Sequence, residues 1–392
     1  MPNCGTDEAA QAPPNRMHVD ASDWSGRASF WKNSKPERKR GVGRPKAEIL
    51  PLILSGHGIK MRVNHGALEI QNGFTHYPQT REQWRVFPGE TDLLSRIILL
   101  DGSGAITLDV LSWLATQNIP LIHIDYRGRV IASIGNNLAG TDPNLRCLQF
   151  DLSKNQKRSM QVGAWIIHRK ITRALDVVER NFLPSKAKND ALAQLHRDAA
   201  ILKRGWSGSI DELLGVEGRC ALLYFRAWRG LPLTWTGTGR KPIPETWKAV
   251  GFRRAKRNDG NQFARHPVQA MLNYAYAVLE SQVRIEVANL GLDPSIGFLH
   301  RSLEGRSALL LDLVEPLRPS VDEVILRFVT GRSFTPSDFT LSTDGVCRLH
   351  PELARRIVTE VDELQEIRPL LADFLGVLGH SPLAAIRHKS KG

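Results

Sequence analysis

An α+β chain of more than one domain is what this sequence predicts: a β-rich N-terminal domain followed by a mainly α-helical C-terminal one. Three observations predict it. Between residues 48 and 136, short runs rich in Val, Ile, Leu, Phe and Trp alternate with Gly- and Asn-bearing clusters, the pattern of strands joined by turns. Beyond residue 144 the apolar positions recur at helical spacing instead. At 392 residues the chain also exceeds what one small core comfortably organises.

Taken in order, residues 1–47 show no sustained hydrophobic period and are expected to form a disordered basic arm. From Arg27 to Lys46 there are eight bases and one acid, Glu37, a balance of +7. Within the arm, KRGVGRPK with Arg44 resembles an AT-hook, a Gly-Arg-Pro core that lies in the A·T minor groove, although Val42 stands where that motif carries a further Arg. A merely solvated cationic tail is the alternative. The β-rich stretch, 48–136, contains EILPLIL, IKMRVN, ALEIQ, FTHY and WRVF, and the period-two alternation of IKMRVN suits half-buried antiparallel strands. Ile97–Leu100 is expected to be a buried strand, Thr107–Thr116 an amphipathic helix, and 120–125 and 130–133 further strands. The GSG at Gly102–Gly104 lacks the continuation of a phosphate loop and is expected to turn a strand into a helix.

A linker at 137–144 leads into the helical domain, 145–380, which ends in a basic tail, 381–392. Phe150–Phe182 is expected to be one long helix with a basic shoulder of Lys154, Lys157, Arg158, Arg169, Lys170 and Arg173, either a solvated face or a DNA-facing one. Ser209 with Glu212 forms a capping box for the helix that carries Glu217. The stretch 237–265 is expected to be a loop; from Arg240 to Arg265 it holds eight bases, among them Arg253, Arg254, Lys256 and Arg257, and two acids. Pro267 opens a helix closed by Gly291, with His266 before it expected to make either a weaker start or an altered contact to DNA. Glu315 precedes Pro316, which places a helix end or kink there, with Ser320 and Glu323 expected to cap the next helix. A short β-compatible stretch and a helix over 351–371 follow.

Composition narrows the function classes. Lys and Arg total 53 against 40 acids, a net charge of +13, which points to a polyanionic partner, nucleic acid first. Cys4, Cys147, Cys220 and Cys347 show no paired spacing, so neither a zinc site nor a disulfide framework is indicated. No apolar run approaches the ~18 residues of a membrane span and no signal sequence opens the chain, so a soluble cytoplasmic protein is expected.

The chemistry concentrates in GFLHRSLEGRSALLLDLVEPLRP, Gly297–Pro319. It sets His300 upstream of Asp312 and Glu315 in apolar surroundings, where charges need partners. Asp312 and Glu315, three apart on a helix, share a face and invite a cation between them or a shared proton. Glu217 would add a third carboxylate from another helix, satisfied by a cation or by a base such as Arg219. Oxygen donors with one imidazole suit Mg²⁺ or Mn²⁺.

Three segments, ELLGVEGRCALLYFRAW, HPVQAMLNYAYAVLESQV and GFLHRSLEGRSALLLDLVEPLRP, together resemble those of the CRISPR-associated protein one family, in its order and spacing. The resemblance covers about residues 48–375. It implies a β-rich domain for dimerisation and a helical catalytic domain with Glu217, His300, Asp312 and Glu315 as catalytic residues and Glu217, His300 and Glu315 as metal ligands. It further implies a metal-dependent DNA endonuclease and integrase of spacer acquisition that joins prespacer 3′-hydroxyl ends to repeat DNA, acts as a homodimer and assembles with CRISPR-associated protein two. Arg219 and Arg318 are candidates for gripping phosphate, with Arg253, Arg254, Lys256, Arg257 and Arg44 as further DNA contacts. A catalytically reduced DNA-binding scaffold, or a family member acting on branched chromosomal DNA outside a CRISPR locus, is the alternative.

Overall fold

The computed structural model describes residues 50–74, 81–89, 94–125, 129–134, 143–239, 241–251, 264–300, 307–341, 345–362, 364 and 366–380. The basic arm with Arg44, most of the linker, the tail, and Arg253, Arg254, Lys256 and Arg257 lie outside them. Among the described residues no helix is long and apolar enough to cross a membrane. The architecture is α+β, with strands gathered at the N-terminal end and helices after them.

The N-terminal strands are β1 (Leu50–Asn64), β2 (Ala67–Gln71), β3 (Gln83–Val86), β4 (Leu94–Ile106), β5 (Leu121–Ile124) and β6 (Val130–Ile134). They form one sheet in the order β3-β2-β1-β4-β5-β6. The expected antiparallel character holds only in part: β1 with β4 and β4 with β5 run parallel, with Leu54 opposite Leu99 and Ile98 opposite Ile122. Alternation reports which face of a strand is buried, not the direction of its neighbour. The β4–β5 connection carries helix α1 (Leu108–Thr116) as a crossover.

Two of the expected turns belong instead to long strands. Gly56 and Gly58, at φ of 90° and 77°, kink β1 without ending it, so LPLIL, the described part of the first run, and IKMRVN are one strand interrupted by register shifts. The GSG lies inside β4, not at its end. Gly104 pairs with Ile59, and a Cβ there would stand 1.9 Å from the Ile59 carbonyl oxygen; glycine is needed because the two backbones approach too closely for any side chain.

Odd and even positions of β4 serve different cores. Ile97 and Leu99 face Val110, Trp113 and Leu114 of α1, where Trp113 Nε1 donates to the Gly66 carbonyl at 2.9 Å. Ile98 and Leu100 join Ile122, Ile124 and the helical part in the main core. Burial on both faces explains why RIILL is continuously apolar. Arg355 adds a polar tie between the two parts, donating to Ser55 Oγ at 3.0 Å and to Glu82 Oε2 at 3.1 Å.

The helical part comprises α2 (Pro143–Lys154), α3 (Gln156–Asn181), α4 (Lys186–Arg204), α5 (Ile210–Ala227), α6 (Pro267–Leu290), α7 (Ala308–Val314), α8 (Arg318–Thr330), α9 (Pro351–Asp362) and α10 (Ile367–Leu378). The single helix expected over 150–182 is broken at Asn155, whose side chain caps α3 by accepting from the Arg158 amide. The helix expected over 351–371 is likewise two, α9 and α10. Pro267 and Gly291 bound α6 as expected, and His266 makes a competent start: Nδ1 accepts from the Val268 amide while Nε2 donates to the Ala249 carbonyl. The loop expected after residue 237 is anchored in its described part by a 3-10 turn, Glu245–Trp247. Trp247 stacks on Trp235 and packs on Phe339, in a cluster held by two small sheets. These pair β7 (Thr234–Trp235) with β8 (Ser333–Phe334) and β9 (Phe339–Leu341) with β10 (Cys347–Leu349).

Candidate active site

Helices α3, α5, α6, α7 and α8, the 3-10 turn Glu315–Leu317 and the loop carrying His300 deliver the site. The Ser209–Glu212 capping box forms as expected and starts α5 so that Glu217 stands on its second turn, beside buried Leu213, Val216 and Cys220. Close packing of α5 on α3 brings Glu217 to Lys170. A Cβ on Gly163 of α3 would already touch Leu213 at 3.4 Å.

The loop carrying His300 is held from α2 and α3. Gln149, fully buried, donates to the Asp293 and Ile296 carbonyls at 2.8 and 2.7 Å and accepts from the Asp293 amide at 2.9 Å. Ser159 Oγ donates to the Phe298 carbonyl at 3.0 Å. At Gly297 a Cβ would lie 2.8 Å from the Ala308 Cβ and 2.9 Å from Asp312 Oδ2, so only glycine lets the loop lie against α7.

Asp312 is 0 % exposed and is the organising group of that loop. Its Oδ2 accepts from the Phe298 and Leu299 amides at 2.5 and 3.1 Å, and its Oδ1 from the His300 amide at 2.9 Å. The same Oδ1 lies 2.7 Å from His300 Nδ1. A carboxylate only accepts, so Nδ1 carries a proton, and in the neutral ring Nε2 keeps a lone pair that can bind. The Asp312 hydrogen bond raises the His300 imidazole above its ordinary value against the downward pull of burial, and the charges of Asp312 and Glu315 add to the rise.

Glu315 serves a different partner. It lies in a 3-10 turn, Glu315–Leu317, between α7 and α8; Pro316 ends the α-helical hydrogen-bonding there, as its sequence position predicts. Its carboxylate accepts from Lys170 Nζ at 2.5 Å and pairs with Arg318 at 2.8 Å. Lys170 Nζ also donates to Glu217 Oε1. Burial alone would raise the Glu315 carboxyl, but Arg318, Lys170 and His300 outweigh it and bring it down to about 2. The charges of Glu217, Glu315, Lys170 and Arg318 sum to zero, which is how two carboxylates can share a largely buried corner.

A cavity of about 280 Å³ opens on this corner, with Lys170, Glu217, Glu315, Arg318, Tyr224 and Tyr276 in its walls. The Arg318 guanidinium sits 5.1 Å above the Tyr276 ring, whose hydroxyl donates to Asp322.

The four expected catalytic residues thus line one neighbourhood, with a different division of labour. Asp312 and Glu315 share a helical face in sequence but no cation in space: one orients His300, the other meets Lys170. Glu217 is satisfied by Lys170 rather than by Arg219, which is exposed on α5. Arg318 turns inward to Glu315. Ser320 and Glu323 do not cap α8, whose first residue is Arg318; they receive Arg173, at 2.8 Å and 2.7 Å. Lys170 was expected on a basic shoulder. Its address, one residue before buried Ile171 and within a turn of buried Ile166 and Ile167, was the signal that it faces inward.

The family model for CRISPR associated protein Cas1 matches residues 52–363. The chain belongs to the Cas1 family. A Cas1 relative, CRISPR-associated endonuclease Cas1 1 of Archaeoglobus fulgidus, is 27% identical over 80% of this chain and 87% of its own length. Among solved structures, a casposase bound to integration product superposes with a TM-score of 0.62 and 26% identity, covering 79% of this chain and 81% of that one. A Cas1 protein from Thermotoga maritima superposes with a TM-score of 0.64 over 84% of this chain and 98% of its own, and at 16% identity it shows the shared fold.

Proposed function

We propose that this Cas1-family chain is a metal-dependent DNA endonuclease and integrase of CRISPR spacer acquisition, joining prespacer 3′-hydroxyl ends to repeat DNA by transesterification. The observation that carries the proposal is the convergence of Glu217 and Glu315 on one cationic position beside an imidazole held in its ligating tautomer by Asp312. Carboxylates and an imidazole are donor types that Mg²⁺ and Mn²⁺ take; among the described residues they do not form a preassembled three-ligand cluster, and Lys170 stands between the two carboxylates. Held by Glu217, Glu315 and His300, such an ion would neutralise charge on the scissile phosphate and favour the ionised form of the attacking hydroxyl.

The protein's own residues do the rest. Asp312 fixes the ring of His300, and Arg318 with Lys170 supplies positive charge in the cavity wall. The reaction exchanges one phosphodiester for another: the attacking 3′ oxygen forms a P–O bond, the repeat-strand oxygen leaves, and the proton lost by one is taken up by the other. No further reactant is needed. In reverse, the freed strand's 3′-hydroxyl would attack the branch-point phosphodiester and release the joined strand, and in endonuclease cleavage water would be the attacking oxygen instead.

DNA binding draws support from the net charge of +13, from exposed Lys154, Lys157, Arg158 and Arg219, and from the casposase solved bound to integration product. Homodimer formation through the β-rich part, assembly with CRISPR-associated protein two and action in the cytoplasm complete the proposal.

The test is an assay with a 3′-hydroxyl duplex, repeat DNA and Mn²⁺, comparing wild type with Glu217→Ala and His300→Ala. Wild type is expected to join strands and both variants to fall to background. Background turnover by wild type with DNA retention intact would overturn the enzyme reading and leave a DNA-binding scaffold.

A further inference from the structure

Lys170 is held where a divalent ion's ligands would otherwise meet. Its ammonium donates to Glu217 Oε1 and, at 2.5 Å, to Glu315 Oε2, and its side chain is 14 % exposed. One cation bound between two carboxylates is the arrangement those carboxylates would give Mg²⁺ or Mn²⁺. With Lys170 left in place, an incoming dication would crowd three positive groups, counting Arg318, around two acids. Like charges at such range repel strongly in a half-dry corner. The lysine must therefore give way, and its four-carbon stem allows this. Arg173, one turn on, cannot replace it, being tied to Ser320 and Glu323.

We propose that Lys170 is a positioning residue with two stations. In the metal-free protein its ammonium stands in for the divalent ion and keeps Glu217 and Glu315 converged; as metal enters, it swings into the adjoining cavity to meet a phosphate oxygen of the bound DNA. The inference rests on the metal dependence proposed above. It assigns the lysine two opposite effects: competition with metal in the free protein, and added phosphate grip once DNA is present. A lysine that merely stabilises the fold would have neither.

The experiment uses the full-length chain without DNA and follows Mn²⁺ binding by loss of the free-ion electron paramagnetic resonance signal, for wild type, Lys170→Met and the double variant Lys170→Met/Glu217→Gln. Lys170→Met is expected to bind Mn²⁺ at least tenfold more tightly than wild type, while joining 3′-hydroxyl DNA more slowly at saturating metal. The gain is expected to vanish in the double variant, since it acts through the carboxylate at 217. Equal or weaker binding by Lys170→Met overturns the proposal. A wild-type measurement keeps the test open should the variants fold poorly: acylation of Lys170, read by mass spectrometry, is expected to quicken at least threefold on adding Mn²⁺, and an unchanged or slower rate overturns it. Mn²⁺ binding by neither wild type nor any variant would sink this inference together with the metal-dependent reading. Equal Mn²⁺ affinity in wild type and Lys170→Met would sink this inference alone.

Discussion

Replacing Asp312 by Asn changes almost no volume and removes one charge, so its effects isolate what the carboxylate does. In wild type the two oxygens accept three backbone amides and one imidazole N–H. The amide of Asn has one oxygen; its NH₂ must face either the Phe298 and Leu299 amides or the His300 pair, donor against donor. Two charge-assisted hydrogen bonds are lost at a site that is 0 % exposed. At roughly 1.5–3 kcal/mol each, and allowing for partial relaxation, the cost should be about 3–4 kcal/mol. For a cooperative unit of some 200 residues that lowers the melting temperature by roughly 6–15 °C.

The chemical consequence is separate from the thermal one. With NH₂ opposite Nδ1, the ring gains by carrying its proton on Nε2, which withdraws the lone pair that would bind metal; DNA joining should fall on the order of 10- to 100-fold. The variant also tests the sign of the pH dependence. His300 is raised above its ordinary 6.5 by Asp312, so its protonation adds stability that is fully present below pH 6.5 and lost as pH rises through the folded-state value. The stability gap between wild type and Asp312→Asn should therefore be widest in mild acid and narrow in alkali. Melting curves between pH 5 and 9, with an NMR titration of the His300 ring, measure all of this. A melting temperature within about 2 °C of wild type, with the ring titrating as before, would refute the account of Asp312.

Three further predictions follow from other parts of the molecule. Gly104→Ala should unfold or strongly destabilise the sheet, by about 3 kcal/mol or more, because its methyl would sit 1.9 Å from the Ile59 carbonyl oxygen; ordinary denaturant stability would refute the close approach of β1 and β4. Glu315, brought from 4.5 to about 2, should contribute on the order of 3 kcal/mol, present above pH 4.5 and lost as pH falls toward 2. Acid titration of wild type against Glu315→Gln should show the difference closing in that window, and a difference flat across it would contradict the assignment. Deleting residues 1–46, which removes the +7 segment from Arg27 to Lys46, should weaken DNA binding and flatten its salt dependence; an unchanged slope would show that the arm touches no phosphate.

How far the sequence revealed this molecule depended on the range of the interaction concerned. Local devices were legible: the Ser209–Glu212 cap, Pro267 opening α6 and Gly291 closing it, and the break at Glu315–Pro316 all follow from neighbouring residues and all stand where expected. The apolar run at Ile97–Leu100 identified a buried strand, but not that its partners on both sides run parallel, because direction is set by chain crossings tens of residues apart. The glycines were misread for the same reason. Gly102 and Gly104 look like turn residues in a one-dimensional string, whereas the need for them arises from Ile59 on another strand. At the site, residue types were readable and pairings were not: spacing joined Asp312 to Glu315, and packing separated them.

Lys170 shows why such a separation matters chemically. A sequence counts it as one more positive charge among 53 Lys and Arg residues, interchangeable with the exposed bases beside it. Packed between α3, α5 and the 3-10 turn, it instead offsets two carboxylates that could not otherwise be buried together as anions. That offset has a functional cost as well as a structural benefit, since a site already neutralised holds an incoming cation less firmly. Asp312 is spared the conflict because its charge is absorbed by backbone amides, which cannot leave. The site therefore divides its acids into one satisfied by backbone amides and two that share a side-chain partner, and on the proposed reading only the second pair would take up and release metal during a cycle on DNA.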